Sequence, residues 1–208
     1  MRTRQLFFWL LICVQTLVIS GQDSLSRTKP KITIGTKVIW ERSGFPILVP
    51  EIASVYSGGL QLLKPMNIRF LQIETGVYLN SRAFAEYFDP WYGGTGYHYI
   101  TFRYLSVPLN CRFNTKYFYV SGGPNADFYI NQNTDKWTSN SEMPVRKFVF
   151  GVNTNAGLHL TFKNKITVFF EARFSRTIVS PLENYYKDKD SFSRNIGLGF
   201  GFNYSFRH

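Results

Sequence analysis

The stretch NIGLGFGFNYSF, residues 195–206, has an apolar side chain at every second position and only Gly, Asn or Ser between them. Successive side chains of a β-strand point to opposite faces, so the stretch predicts a strand with one large apolar face and one face of small side chains. A soluble sandwich turns its apolar face inward and usually carries charge on the other face. The small, uncharged second face favours the opposite arrangement, in which the aromatic side chains lie outside.

The same alternation recurs along the chain. It is cleanest in FVFGVNTNAGLHLTF (148–162), which sets Val152 and Leu158 on one face and Asn153 and His159 on the other. A phase change in ITFRYLSVPLNCRF predicts a β-bulge near Tyr104, with the side chains before it on the apolar face. Counting NIGLGFGFNYSF, there are about eight such segments; the others are 32–40, 54–63, 71–79, 100–113, 117–130 and 166–174.

The connections between these segments alternate strictly in length. The short ones are 64–67, 114–116 and 163–165, and the long ones are 41–53, 82–97, 131–146 and 179–194. Outer-membrane barrels have an even number of strands, short periplasmic turns and long extracellular loops. The sequence therefore predicts an all-β fold, a closed antiparallel up-and-down transmembrane β-barrel of about eight strands.

The start of the chain has the layout of a secretory signal peptide. MRTRQLFFWLLICVQTLVISGQ carries two arginines, then an apolar run, then small residues around Gly21. We expect a cleaved signal peptide at 1–21, a short periplasmic segment at 22–30 and the barrel domain at 31–208. Only Cys111 then remains, so no internal disulfide is expected.

Several motifs together resemble the Gram-negative outer-membrane β-barrel domain family, in its porin-like or PorT-like group. They are ITIGTKVIW, IETGVYLNSRAF, YLSVPLNCRF, VSGGPNADFYI, FEARF and IGLGFGFNYSF. The resemblance implies a small barrel in the cell outer membrane. It also implies that Gly201, Tyr204 and Phe206 form the C-terminal signal read by the barrel-insertion machinery, although Arg207 and His208 follow the last aromatic residue.

The inner face of the predicted barrel carries polar and charged side chains. The predicted lumen network consists of Lys37, Glu74, Asn153, Asn155, His159, Glu171 and Arg173. An eight-stranded barrel is wide enough only for its own side chains or one small ligand. We therefore expect a plug of paired charges rather than a channel, with no cofactor and no enzymatic activity.

The function predicted first is that of a small integral outer-membrane barrel with a structural, adhesive or ligand-binding role. Two alternative functions stay open at this point. A soluble lipocalin-like carrier would turn the same apolar faces inward around a ligand. A lipid A-modifying enzyme would need a nucleophile and a base within reach, and His98 or the pair His159 and Glu171 are the candidates for such a site.

The predicted partners follow from charge and from aromatic residues. Basic residues beside the short turns predict a periplasmic rim that contacts outer-membrane lipids, formed by Lys64, Arg112, Lys116, Lys163 and Lys165. In the second long loop, Trp91 and Tyr92 form a candidate platform for an extracellular glycan or protein. The formal charge of +11 does not indicate nucleic-acid binding in an exported chain.

Overall fold

The computed structural model describes residues 32–44, 53–68, 70–88, 96–134, 145–162, 165–181 and 192–206, with the backbone alone at 84–88, 96–99 and 134. These residues form eight strands: β1 Thr33–Gly44, β2 Ala53–Pro65, β3 Leu71–Phe88, β4 Gly96–Asn114, β5 Phe118–Thr134, β6 Phe148–Phe162, β7 Ile166–Thr177 and β8 Arg194–Ser205. Each strand pairs antiparallel with the next, and β8 pairs with β1. The all-β closed up-and-down barrel is confirmed.

The two ends of the barrel differ in the length of their connections. Residues 66–70, 115–117 and 163–165 join strands at one end, which we call the short-turn end. The other end, the long-loop end, carries the connections 45–52, 89–95, 135–147 and 178–193. In the part of the chain that the structure describes, no helix is long and apolar enough to cross a membrane. The segments predicted as signal peptide and periplasmic segment, 1–21 and 22–30, lie outside the described residues.

The two faces of β8 lie as the alternation predicts. Ile196 and Phe200 point outward and are 64% and 59% exposed. The glycines face inward because the space beside them is filled: a Cβ atom on Gly197 would lie 2.5 Å from Glu41 Cγ, and one on Gly199 would lie 2.9 Å from Glu171 Cγ. Small residues on the inner face therefore leave room for the acidic side chains of the interior.

The outer face of the barrel is apolar on every strand. Typical exposed side chains, one from each strand in chain order, are Val38, Leu60, Val77, Leu109, Val120, Leu158, Phe170 and Phe200. A water-soluble protein rarely exposes so large a continuous apolar surface. A closed barrel of this kind satisfies its backbone hydrogen bonds internally, as a lipid environment requires.

Strand β4 differs from the prediction. Its alternation is unbroken, and Ile100, Phe102 and Tyr104 point into the barrel, where they are buried. The irregularity is real, but it lies in the pairing: Arg103 pairs with Asn131 and Tyr104 with Tyr129, so the extra residue belongs to β5. These three side chains belong to an apolar core inside the barrel, toward its long-loop end.

Strands β3, β4 and β5 continue into segments predicted as loops. Beyond Leu79, β3 pairs with β4 but no longer with β2. Serine hydroxyls replace the missing partners: the Ser81 N–H donates to Ser57 Oγ, and the Ala83 N–H donates to Ser43 Oγ at 3.0 Å. This part of β3 thus lies against β1 at the long-loop end.

Candidate functional site

The structure places all seven residues of the predicted lumen network inside the barrel. Each is buried: Lys37, Glu74, Asn153, Asn155, His159, Glu171 and Arg173. They come from β1, β3, β6 and β7. Each lies at one of the alternate positions of its strand whose side chains point inward. The barrel interior is therefore the candidate site of this protein.

A first group of side chains, the lower cluster, contains Lys37, Glu74, Arg112, Tyr119 and Glu171. Lys37 Nζ donates to Glu171 Oε1 at 2.7 Å and lies 3.5 Å from Glu74 Oε1. Arg112 Nη1 lies 3.4 Å from Glu74 Oε2, and its guanidinium carbon lies 3.5 Å from the centre of the Tyr119 ring. The Tyr119 hydroxyl donates to Glu171 Oε2 at 2.5 Å. Each charge in the cluster thus has an opposite charge within 4 Å.

A second group, the upper cluster, lies nearer the long-loop end and contains two ion pairs. Arg82 Nη2 donates to Asp127 Oδ2 at 2.5 Å, and the other carboxylate oxygen accepts from Ser106 and from Asn125 Nδ2. Arg173 Nη1 lies 3.6 Å from Glu41 Oε1. The second oxygen of that carboxylate accepts from Ser57 Oγ at 2.7 Å and from Asn195 Nδ2 at 3.3 Å.

The charges of the two clusters cancel. Four buried cations, Lys37, Arg82, Arg112 and Arg173, face four buried anions, Glu41, Glu74, Asp127 and Glu171. Isolated charges in such an interior would cost several kcal/mol each, and pairing offsets that cost only when the geometry is good. The equal numbers favour an interior whose charges bind one another rather than a charged solute.

A group of apolar side chains, the apolar layer, lies beside the upper cluster, because Phe102 pairs with Arg82 and Val149 with Asp127. Ile100, Phe102, Tyr104 and Val149 are buried together there, with Tyr129 packed at their edge. The guanidinium of Arg82 lies 5.9 Å from the centre of the Tyr104 ring, which connects this layer to the upper cluster. The apolar side chains therefore fill part of the interior next to the charged ones.

One small cavity lies between the described side chains of the two clusters. A cavity of about 10 Å³ is bounded by Lys37, Glu74, Tyr78, Asn110 and Arg173, among other side chains. This is the room that about one water molecule needs. Several of the lining polar atoms accept no hydrogen bond, including Glu74 Oε1 and Asn110 Oδ1, and the cavity has room for a single water but not for a larger solute.

His159 does not form the pair with Glu171 that an enzyme would need. Its Nε2 lies 3.0 Å from the backbone oxygen of Thr115 in the second short turn, and Glu171 is bound to Lys37 and Tyr119. The side chain of His98 lies outside the described part. Among the described residues, no group of three His, Cys, Asp or Glu residues could hold a metal ion.

The predicted basic rim needs one correction. Arg112 is not on the rim but is buried in the lower cluster, because its position in β4 points inward. Lys64, Lys116 and Lys165 are exposed at the short-turn end. Lys163 lies outside the described residues.

The other predicted sites lie at the C-terminal end of the chain and in the second long loop. Gly201 faces the interior, whereas Tyr204 and Phe206 point outward with their ring centres 5.1 Å apart. The candidate platform of Trp91 and Tyr92 lies outside the described residues. Neither the assembly signal nor the platform is tested by this geometry, and both stay predictions.

Sequence reasoning missed half of the charged interior. The missed charges are Glu41 and Arg82, which lie in segments predicted as loops, Arg112, which is predicted on the rim, and Asp127; the neutral Tyr119 is missed as well. The signal was present for the last two, because they alternate with the outward Val120 and Phe128 of β5.

Among the comparisons with known proteins, one solved structure supports this fold. No protein-family model matches the sequence, and no curated protein does. The structure is similar to the crystal structure of Neisserial surface protein A, with 11% identity and a TM-score of 0.50, covering 84% of this chain and 97% of that one. Ail of Yersinia pestis, solved in complex with the heparin analogue sucrose octasulfate, has 12% identity and a TM-score of 0.48, covering 85% and 100%.

A third similar structure is the N-terminal β-barrel domain of Pseudomonas aeruginosa OprF, with 16% identity and a TM-score of 0.39, covering 85% of this chain and 100% of that domain. At such identities the likeness extends to the fold alone. The chain thus has the fold of small eight-stranded outer-membrane barrels. The narrower resemblance to the porin-like or PorT-like group stays a prediction.

Proposed function

We propose that this protein is an integral outer-membrane β-barrel with a structural or adhesive role and a lumen closed to solutes. The observation that carries this proposal is the distribution of side chains: apolar residues cover the outside, and eight mutually paired charges fill the inside. In lipid, the apolar outer face is favourable and the charged interior is shielded.

The carrier and enzyme alternatives fit the geometry less well. A lipocalin-like carrier needs an apolar cavity, whereas the described interior is lined by charged and polar side chains at mid-height. An enzyme on lipid A needs a base beside a nucleophile, and His159 is instead held against a turn backbone. An adhesive role is supported by the long loops, in which Trp91 and Tyr92 remain the candidate glycan or protein platform.

We expect the long-loop end to face the outside of the cell. With Cys111 replaced by alanine, a cysteine at Lys147 should react with a membrane-impermeant thiol reagent in intact cells, and a cysteine at Lys165 should react only after lysis. Both lysines are exposed in the structure, so a difference in labelling would show that the membrane keeps the reagent from one of the two positions. Labelling of both positions in intact cells, or recovery of the protein in the soluble fraction, would contradict the proposal.

We expect the purified protein not to conduct ions in planar bilayers, because the two clusters and the apolar layer fill the lumen. The control is a variant in which Phe102 and Tyr104 are both replaced by alanine, which removes two buried rings from the apolar layer. Sustained single-channel currents from the unmodified protein would show that the lumen opens.

A further inference from the structure

A group of three arginines on adjacent strands interrupts the apolar outer wall at the long-loop end. They are Arg42 on β1, Arg176 on β7 and Arg194 on β8, three strands that are neighbours in the closed barrel. All three occupy outward positions; Arg42 and Arg194 are exposed and Arg176 is half-buried. We call them the arginine triplet.

The strand register brings the triplet close together. Arg176 pairs directly with Arg194, and Arg42 pairs with Ile196, the next outward residue of β8 after Arg194. Like charges directly opposite each other on one face of a sheet destabilise it. None of the ion pairs among the described residues involves the triplet. An anion shared between the guanidinium groups would remove the repulsion.

The residues next to the triplet, on the side toward the short-turn end, indicate what kind of anion fits. Trp40, Phe174 and Ile196 lie there on the outer wall, exposed and apolar. An anionic head attached to acyl chains would therefore meet guanidinium groups at its head and apolar side chains along its tails. Guanidinium groups suit phosphate, because they can donate two parallel hydrogen bonds to its oxygens.

We propose that the arginine triplet binds the phosphate groups of an anionic lipid in the membrane leaflet on the long-loop side. The inference rests on the proposed membrane location. A lipid is favoured over a soluble anion because the triplet lies on the outer wall directly beside the apolar surface rather than in the lumen. Arg176 is positioned further by the Phe192 ring, whose centre lies 5.2 Å from its guanidinium carbon.

Native mass spectrometry of the folded protein in detergent tests this site. The probes are diphosphoryl lipid A, a phosphate-free form with the same acyl chains, and inorganic pyrophosphate as a soluble competitor. Each arginine should contribute about fivefold to the affinity. Replacing the triplet by glutamine (Arg42→Gln, Arg176→Gln, Arg194→Gln) should therefore weaken binding of the diphosphoryl lipid about a hundred-fold, and binding of the phosphate-free lipid little.

Arg103→Gln is the matched control. Arg103 is also an exposed arginine toward the long-loop end, but its pairing partners on the neighbouring strands are Ser81 and Asn131, so it has no second cation beside it. Its loss should weaken binding less than twofold, and Arg194→Gln alone at least fivefold.

Two results would overturn the lipid site. Equal binding by the triplet variant and the unmodified protein would show that the arginines do not bind the phosphate groups of the lipid. Displacement of the lipid by pyrophosphate alone would indicate a soluble anion. Folding of every variant is checked by the heat-dependent shift of folded barrels on gels. Failure of the unmodified protein to fold or insert would count against the proposed function. Loss of lipid preference by a variant that is folded concerns the arginine triplet only.

Discussion

Replacing Phe200 with arginine should destabilise the barrel in a lipid bilayer by about 2–4 kcal/mol, the cost of a charged side chain near the bilayer midplane. Phe200 lies near the middle of β8, points outward and is 59% exposed. Its partners on both neighbouring strands, Val38 and Phe170, are also apolar and outward, so the arginine would have no counter-ion beside it. The measurement is equilibrium urea unfolding in phosphatidylcholine vesicles.

Ile166→Arg is the control for this prediction. Ile166 is likewise outward and 47% exposed, but it is the first residue of β7 and follows Lys165 at the short-turn end. Near a membrane interface the cost of arginine falls to about 0–1 kcal/mol. Equal tolerance of arginine at positions 200 and 166 would mean that the apolar outer face does not lie in lipid.

The fold could be predicted because its signal is local and repeated. Alternation along one strand needs no knowledge of its neighbours, and the strict change between short and long connections then allows few topologies. The irregularity predicted near Tyr104 is present in the pairing of β4 with β5, but the reasoning behind it fails. It assumes that Ile100, Phe102 and Tyr104 lie on the outer face because they are apolar, whereas they pack in the interior. Hydrophobicity does not distinguish a lipid-facing surface from an apolar layer inside a barrel.

The site could be predicted only in part, for a different reason. Alternation along a strand identifies which residues face inward, but it does not identify which inward residues of different strands are in contact. Arg112 was assigned to the rim from its place beside a short turn, although its parity matches that of the inward residues of β4. Its contacts with Glu74 and Tyr119 depend on β3 and β5 lying on either side of β4. These contacts follow from the register of neighbouring strands in the closed barrel, which cannot be read from one strand alone.

The largest effect is expected from Glu171→Ala, at about 3–5 kcal/mol of destabilisation, because removal of one partner leaves a buried charge unpaired. Glu171 accepts from Lys37 Nζ at 2.7 Å and from the Tyr119 hydroxyl at 2.5 Å. Without Glu171, the ion-pair partner left to Lys37 among the described residues is Glu74, at 3.5 Å, and Glu74 is also paired with Arg112. The free energy of unfolding in vesicles is again the measurement.

The double variant Lys37→Met with Glu171→Gln separates the loss of pairing from the loss of packing. It removes both charges, leaves the pair of Glu74 and Arg112 intact, and keeps an amide oxygen that can accept from the Tyr119 hydroxyl. Replacing a buried ion pair by neutral groups of similar volume is often close to neutral for stability. We therefore expect the double variant to recover at least half of the stability lost in Glu171→Ala. If the double variant is as unstable as Glu171→Ala, the lower cluster does not act as a paired network. The closed lumen would then have to be explained by packing alone.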